Sequence, residues 1–264
     1  MTTAAPTRTS TRPGARLTVA RRGERTELAE LGSSVPVGLY GLRSSTVDMA
    51  HVALTQTAAM LVAGDDVSLQ VSVGAGAGLL LRELSATIAH PGTVPARQRI
   101  SIDVAPGGVL IMLEEPLVIA AGASVQRVLE IELAQTAVVL HRDTVVLGRH
   151  DEVPGDATIC QHVTRDGAPV LAETLMTADR AATASPAVLG GARVVGTLSL
   201  YGGRPPGDLP PWSLELAAGD VVARRVGAHL REISELDALT GVWMSAITAR
   251  HTSALERPAQ CQRG

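Results

Sequence analysis

The amino-acid sequence predicts a mainly β protein: a helical-β or irregular β-solenoid-like single domain with about two C-terminal α-helices. Three observations carry this. Between Leu61 and Arg149 apolar and polar residues alternate at period two in one short segment after another, the pattern of strands with one dry and one wet face. Turn chemistry separates the segments: Ala63-Gly64-Asp65-Asp66, Gly74 to Gly78, His90-Pro91-Gly92, Pro106-Gly107-Gly108 and Ala121-Gly122-Ala123. Helical spacing is confined to the end of the chain.

The elements follow in order. Residues 1–14 read as a disordered tail, 15–250 as one β domain with its helices, and 251–264 as a second tail. Short apolar segments around Leu17-Thr18-Val19, Glu27-Leu28-Ala29 and Val35-Val37-Leu39 suggest an opening β meander, and Ala50 to Thr57 a further strand. Val67, Leu69, Val71 and Val73 alternate with Ser68, Gln70 and Ser72. Ile100, Ile102 and Val104 alternate with Arg99, Ser101 and Asp103, and Leu129, Ile131 and Leu133 with Glu130 and Glu132. Strand-like pieces follow at Thr158 to Val163, Val170 to Met176, Arg193 to Leu200 and Trp212 to Leu216. Ser185-Pro186 resembles a helix N-cap, with Gly190 as terminator. Asp220 could cap a helix running toward Ile233, because Val222, Val226, Leu230 and Ile233 lie near helical spacing, and a shorter helix is expected around Trp243 and Ile247. Strand spacing of about 10 residues fits a sandwich, barrel or irregular solenoid.

Composition narrows the chemistry. The hydrophobic fraction is 45% and the mean hydropathy +0.20, enough for a core, yet Phe is absent, so Val, Leu, Ile and Ala must fill it. The net charge of −3 provides no field to hold a polyanion, and no nucleic-acid partner is expected. All 23 basic residues are Arg; without Lys there is no Walker A loop, Schiff-base lysine or Ser-Lys dyad. Cys160 and Cys261 make no disulfide framework. The first 15 residues lack an apolar block and no apolar run is long enough to span a bilayer, so a cytoplasmic location without a membrane partner is expected.

Motif chemistry is sparse. Gly74-Ala-Gly-Ala-Gly78 has the wrong spacing for a dinucleotide fingerprint and reads as a turn between strands. Cys160 and His162 are two apart, so on a strand they share a face and could reach one nickel or zinc ion, given one or two further ligands. Asp143 and Glu115 could pair as acid and base on a polysaccharide, which keeps a carbohydrate-active enzyme, or a free-standing binding module, as the alternative reading. There is no G-x-S-x-G elbow and no H-E-x-x-H helix.

An ordered set of segments resembles the urease accessory protein UreD (UreH) family: Gly64-Asp65 before an alternating strand, Val73 to Leu81, Gly107-Gly108-Val109-Leu110 followed by Leu113 to Leu117, Gly122 to Gln126, Asp143 with Leu147-Gly148-Arg149, and Leu189 to Leu198. The chain departs from the family pattern at Ala59-Met60, where paired glycines are usual, at Arg82-Glu83, and at Ile88, where Lys is usual. The resemblance implies a non-enzymatic scaffold or chaperone that binds UreF, the GTPase UreG and the urease apoprotein. It also implies that the protein conducts nickel transiently through an internal polar channel, with no tightly bound cofactor. Carboxylates strung along a path attract a divalent cation without caging it. Asp65, Glu115, Glu132 and Asp143 are the acidic residues expected on such a path, with Arg149 orienting one of them and Cys160 and His162 as further candidates.

Overall fold

A computed structural model describes residues 14–57 and 60–256. Of the expected tails at 1–14 and 251–264, residues 1–13 and 257–264 lie outside the described residues, as does Ala59, whereas 251–256 are helical and not a tail. The strands in chain order are β1 (Ala15–Arg22), β2 (Arg25–Gly32), β3 (Val37–Leu42), β4 (Met49–Gln56), β5 (Met60–Leu61), β6 (Asp66–Val73), β7 (Gly78–Glu83), β8 (Thr87–Ala89) and β9 (Ala96–Val104). They continue as β10 (Val109–Leu113), β11 (Leu117–Ile119), β12 (Ser124–Leu133), β13 (Val138–Leu147), β14 (Asp156–Arg165) and β15 (Ala168–Met176). After α1 (Arg180–Ala184) come β16 (Val194–Tyr201), β17 (Ser213–Glu215), β18 (Val221–Gly227), a 3₁₀ turn at Leu230–Ile233 and the long helix α2 (Glu235–Glu256).

The alternating segments stack as coils. Two of them pass from a first sheet, through a glycine-rich turn at Gly74–Gly78 or Gly107–Gly108, into a second sheet, and return by a short strand. The next turns at Ala134–Ala137 and passes from β13 to β14 without one. In the first sheet, of order β15-β14-β12-β9-β6-β1-β2, strands β6, β9, β12 and β14 pair in parallel. In the second sheet β4, β7, β10 and β13 pair in parallel, then β16 and β18 antiparallel, while β5, β8 and β11 line up on the return side. The Gly74 to Gly78 segment is the turn of one coil. Gly76 and Gly107 hold positive φ of 64° and 68° in successive turns, and the Gly76 N–H donates to the Pro106 carbonyl at 3.0 Å, so one turn seats on the next.

Parallel stacking places like residues in register. Leu69 faces Ile100, which faces Leu129, and Val71 faces Ile102, which faces Ile131. All are buried and point toward Leu79, Leu81, Leu110 and Val139 of the second sheet. The outer face of that sheet is also apolar, because α2 lies across it. Trp243, Ile247, Leu236 and Ile233 pack on Ile111, Leu140, Leu198 and Ala223, making a second core. The protein is therefore three-layered: sheet, sheet, helix.

Several elements differ from expectation. The opening is not one meander. β1 and β2 form a hairpin in the first sheet and β3 and β4 a hairpin in the second, since the dry faces of β1 (Leu17, Val19) and β3 (Val37, Leu39) meet across the interior. The segment after Asp220 is the strand β18, not a helix. Val222 and Val226 lie on the face toward the first sheet and Val221 and Ala223 on the face toward α2, so a strand buried on both faces over Val221–Ala223 mimics helical spacing. Asp220 itself is buried and caps nothing; its carboxylate accepts Arg165 Nη2 at 2.6 and 2.9 Å and the Gly202 N–H at 2.7 Å. Asp179, not Ser185, caps α1, by accepting from the Ala182 N–H, and Ser185 ends it. The short helix around Trp243 is a 22-residue helix that continues past 250 to Glu256, and His251 on it is buried.

Candidate functional site

Besides the buried Arg165–Asp220 pair, the polar groups in the interior between the two sheets gather along one transverse belt. On the second sheet, Leu54 registers with Glu83, Asp143 with Thr197, and Thr197 with Arg224. Glu114 lies between Glu83 and Asp143, one step beyond Leu113, which registers with both Arg82 and Arg142. The row thus runs Glu83, Glu114, Asp143, Thr197, Arg224 from strand to strand. The first sheet opposes it with Gln98 and Arg127, which are in register, and with Gln161 and Glu173, also in register. Strand alternation puts these side chains indoors: Arg127 sits in phase with Val125, Leu129 and Ile131, and Glu83 in phase with Leu79 and Leu81.

At the centre of the belt is a buried triad. Arg127 Nη2 donates to both oxygens of Glu114, at 2.6 and 2.5 Å, and His141 Nε2 lies 2.7 Å from Glu114 Oε2. Burial pushes the Glu114 carboxyl up, but Arg127 and the His141 hydrogen bond outweigh it and hold the pKa down to about 2. Burial likewise opposes the Arg127 charge, and the carboxylates of Glu114, Asp143 and Glu83 outweigh it, so its pKa stays above the ordinary arginine value. Beside them Glu83 has the opposite fate. Burial and the neighbouring Glu114 charge raise its pKa to about 7, against the Glu115 N–H, which donates to Oε2 at 3.0 Å. Two carboxyls on adjacent strands thus differ widely in proton affinity, because one owns the arginine and the other does not.

Each end of the belt opens into a void. Beyond Glu83 and Glu114 lies a small cavity of about 20 Å³ bordered by Gln56, Gln98 and Arg99. At the other end a cavity of about 230 Å³ is bordered by Asp143, Gln161, Glu173, Thr197 and Arg224, with Leu189 over it. There Arg224 Nη2 donates to Glu173 Oε2 at 2.7 Å, with a second contact between Arg224 Nη1 and Glu173 Oε1. This pairing holds the Glu173 carboxyl below its usual range. Gln161 Nε2 donates to the buried Tyr201 hydroxyl at 2.9 Å.

Of the residues expected on a path, the structure places Asp143 in the belt and the others outside it. Asp65 accepts the Val62 N–H at 2.9 Å and closes a turn. Glu115 is exposed and lies outside the cavity that Asp143 borders, so the two do not share a cleft as an acid–base pair would. Glu132 is exposed on the outer face of the first sheet, where it accepts the Gly167 N–H at 2.9 Å and bonds Thr164. Arg149 pairs with Glu152 at 2.5 Å rather than with any of the four acids. Cys160 and His162 share the same outer face, where Cys160 Sγ accepts from Thr174 at 3.5 Å. Among the described residues no group of three His, Cys, Asp or Glu side chains is arranged to hold a metal ion, and no helix is long and apolar enough to cross a membrane.

Sequence reasoning missed Glu83, Glu114, Arg127, His141, Glu173 and Arg224. Their signal was a charged or polar residue in the dry phase of a period-two segment, as in Val125-x-Arg127-x-Leu129, Leu171-x-Glu173-x-Leu175 and Val222-x-Arg224-x-Val226.

The family model described as UreD urease accessory protein matches residues 12–260. The chain is 40% identical over 199 residues to "Urease accessory protein UreD 1" of Streptomyces griseus subsp. griseus, which covers 74% of this chain and 78% of that protein. It is 35% identical over 213 residues to "Urease accessory protein UreD 1" of Saccharopolyspora erythraea, covering 77% and 84%. It is also 35% identical over 244 residues to "Urease accessory protein UreD" of Parafrankia sp., covering 83% and 80%. A match spanning the solenoid, the belt and the closing helix together means that this chain belongs to the UreD urease accessory protein family.

Proposed function

We propose that the protein is a cytoplasmic urease-maturation scaffold that binds UreF, UreG and the urease apoprotein, and that nickel, its cargo, crosses it along the transverse belt. The observation that supports this reading is the belt itself: a row of carboxyls between two sheets, ending in a void at either side. Carrying a polar row through an apolar core is costly unless each group is partnered, so its presence points to use rather than to stability. Carboxylates spaced strand by strand offer a divalent cation successive oxygen ligands, none of them a closed cage. The cation would meet Asp143 and Glu173 at the larger cavity, Glu114 at the centre and Glu83 at the far end. The exposed faces, including that carrying Cys160 and His162, are left for protein contacts.

The test is urease activation. Asp143→Ala should lower nickel loading of urease several-fold while the protein still co-purifies with UreF and UreG. Unchanged activation would remove the belt from the path, and failure of the unaltered chain to co-purify at low salt would remove the scaffold role.

A further inference from the structure

We propose that Arg127 is the resident cation of the belt, competing with the passing metal ion for Glu114 so that the ion is handed on instead of trapped. This rests on the reading of the belt as a cation path and adds a specific device to it.

The geometry carries the inference. Arg127 projects from β12 into the row of carboxyls, is 4% exposed, and occupies both oxygens of Glu114. Its guanidinium also lies within the electrostatic reach of Asp143 on β13 and Glu83 on β7, the two strands that flank β10 in the facing sheet. One buried monocation thus holds Glu114 directly and feels two further carboxyls along the row. Without that monocation, an entering divalent ion would find both Glu114 oxygens open and no like charge beside it, and its attraction to the carboxylate is about twice that of a single charge. With Arg127 in place, Glu114 is already hydrogen-bonded on both oxygens, and a like charge stands beside any ion that enters. An incoming ion must displace the guanidinium, which stays under the attraction of Asp143 and Glu83, and the guanidinium in turn displaces the ion. The fork geometry suits this: arginine binds a carboxylate strongly through two donors, yet its charge is spread and weakly hydrated, so it can exchange partners indoors. His141 keeps its hydrogen bond to Glu114 at 2.7 Å and fixes that carboxylate while the exchange occurs.

The experiment uses the full-length chain and nickel alone, by equilibrium dialysis with metal analysis, alongside urease activation in the assembled complex. Arg127→Gln should retain nickel about tenfold more tightly than the unaltered protein and activate urease less. Guanidinium chloride at low millimolar concentration should reverse both changes, and sodium chloride at the same concentration should not. Adding Glu114→Gln to Arg127→Gln should abolish the extra retention, because the ligand is then gone as well. If Arg127→Gln shows no cooperative melt, Arg127→Lys decides. Its ammonium keeps a buried charge but cannot occupy both oxygens, and it should retain nickel more tightly than the unaltered protein, though less than tenfold. Retention unchanged in the variant that folds overturns the role of Arg127. If Asp143→Ala still lowers activation in that case, the path reading survives; if it does not, the path reading falls too.

Discussion

Glu83 and Glu114 make the interior sensitive to pH in two opposite directions. Glu83 has a folded pKa of about 7 against an ordinary 4.5, so between those values the folded state binds more protons than the unfolded one. Stability therefore falls as pH rises through that window, by up to about 3 kcal/mol at about 1.4 kcal/mol per unit. Glu114, held at about 2, contributes stability that is present above 4.5 and is lost as pH falls toward 2. Glu83→Gln should remove the first limb: urea unfolding at pH 5 and pH 8 should give nearly equal stabilities, with the variant the more stable at pH 8. A variant that keeps the wild-type slope would place the titration elsewhere. This residue-scale chemistry was hidden in the sequence for a plain reason. Glu83 and Arg127 look like ordinary strand charges until the phase of the alternation is fixed by Leu79 and Leu129, and which phase is indoors depends on the sheet that covers it.

Among the elements, the strands of the solenoid were legible because each has one wet face. Val67 to Val73 and Ile100 to Val104 alternate cleanly and form β6 and β9 with those same residues indoors. Strand β18 was not legible, since α2 covers the face that would otherwise be polar. The helix was legible only around Trp243. Its small and weakly apolar residues, such as Ala238, Ser245 and Ala249, blur the stripe that would have marked its length. Its docking on the sheet is testable. Trp243 is 1% exposed against Ile247 and Leu140, and Trp243→Ala should cost about 3–5 kcal/mol, read as a lowered urea midpoint. Gly196 leaves room for the same contact: a Cβ there would stand 2.6 Å from Ile233 Cδ1 and 2.7 Å from Leu236 Cδ1. Gly196→Ala should therefore push the 3₁₀ turn and helix outward and cost about 1–3 kcal/mol. A Gly196→Ala protein as stable as the parent would mean that the helix shifts freely on the sheet.

For the whole molecule, a core without Phe, filled by Val, Leu, Ile and Ala, and interrupted by a charged belt, gives a fold for which partner binding should matter. If UreF binds the native state alone, saturating it at about 100 times its dissociation constant should add about 2.7 kcal/mol, seen as a raised melting temperature. An unmoved midpoint would argue that the two do not meet. The family pattern was readable at this scale because its marks fall on the coil turns, such as Gly64 and Gly107, whose positive φ of 85° and 68° is set by backbone geometry and not by neighbouring chemistry. The belt was not readable, because it is assembled from strands far apart in sequence.

The coil stacking also sets a length. The belt crosses the strand row β7, β10, β13, β16 and β18 at right angles to the chain, with one side chain from each of four strands and Glu114 from just past the end of β10. Neighbouring strands lie about 4.8 Å apart, so five of them span about 19 Å. That distance is counted in strands, not in residues. Inserting one coil would lengthen the row by a single spacing and leave both ends chemically unaltered, so the reach of the interior row can change independently of what it touches at either end.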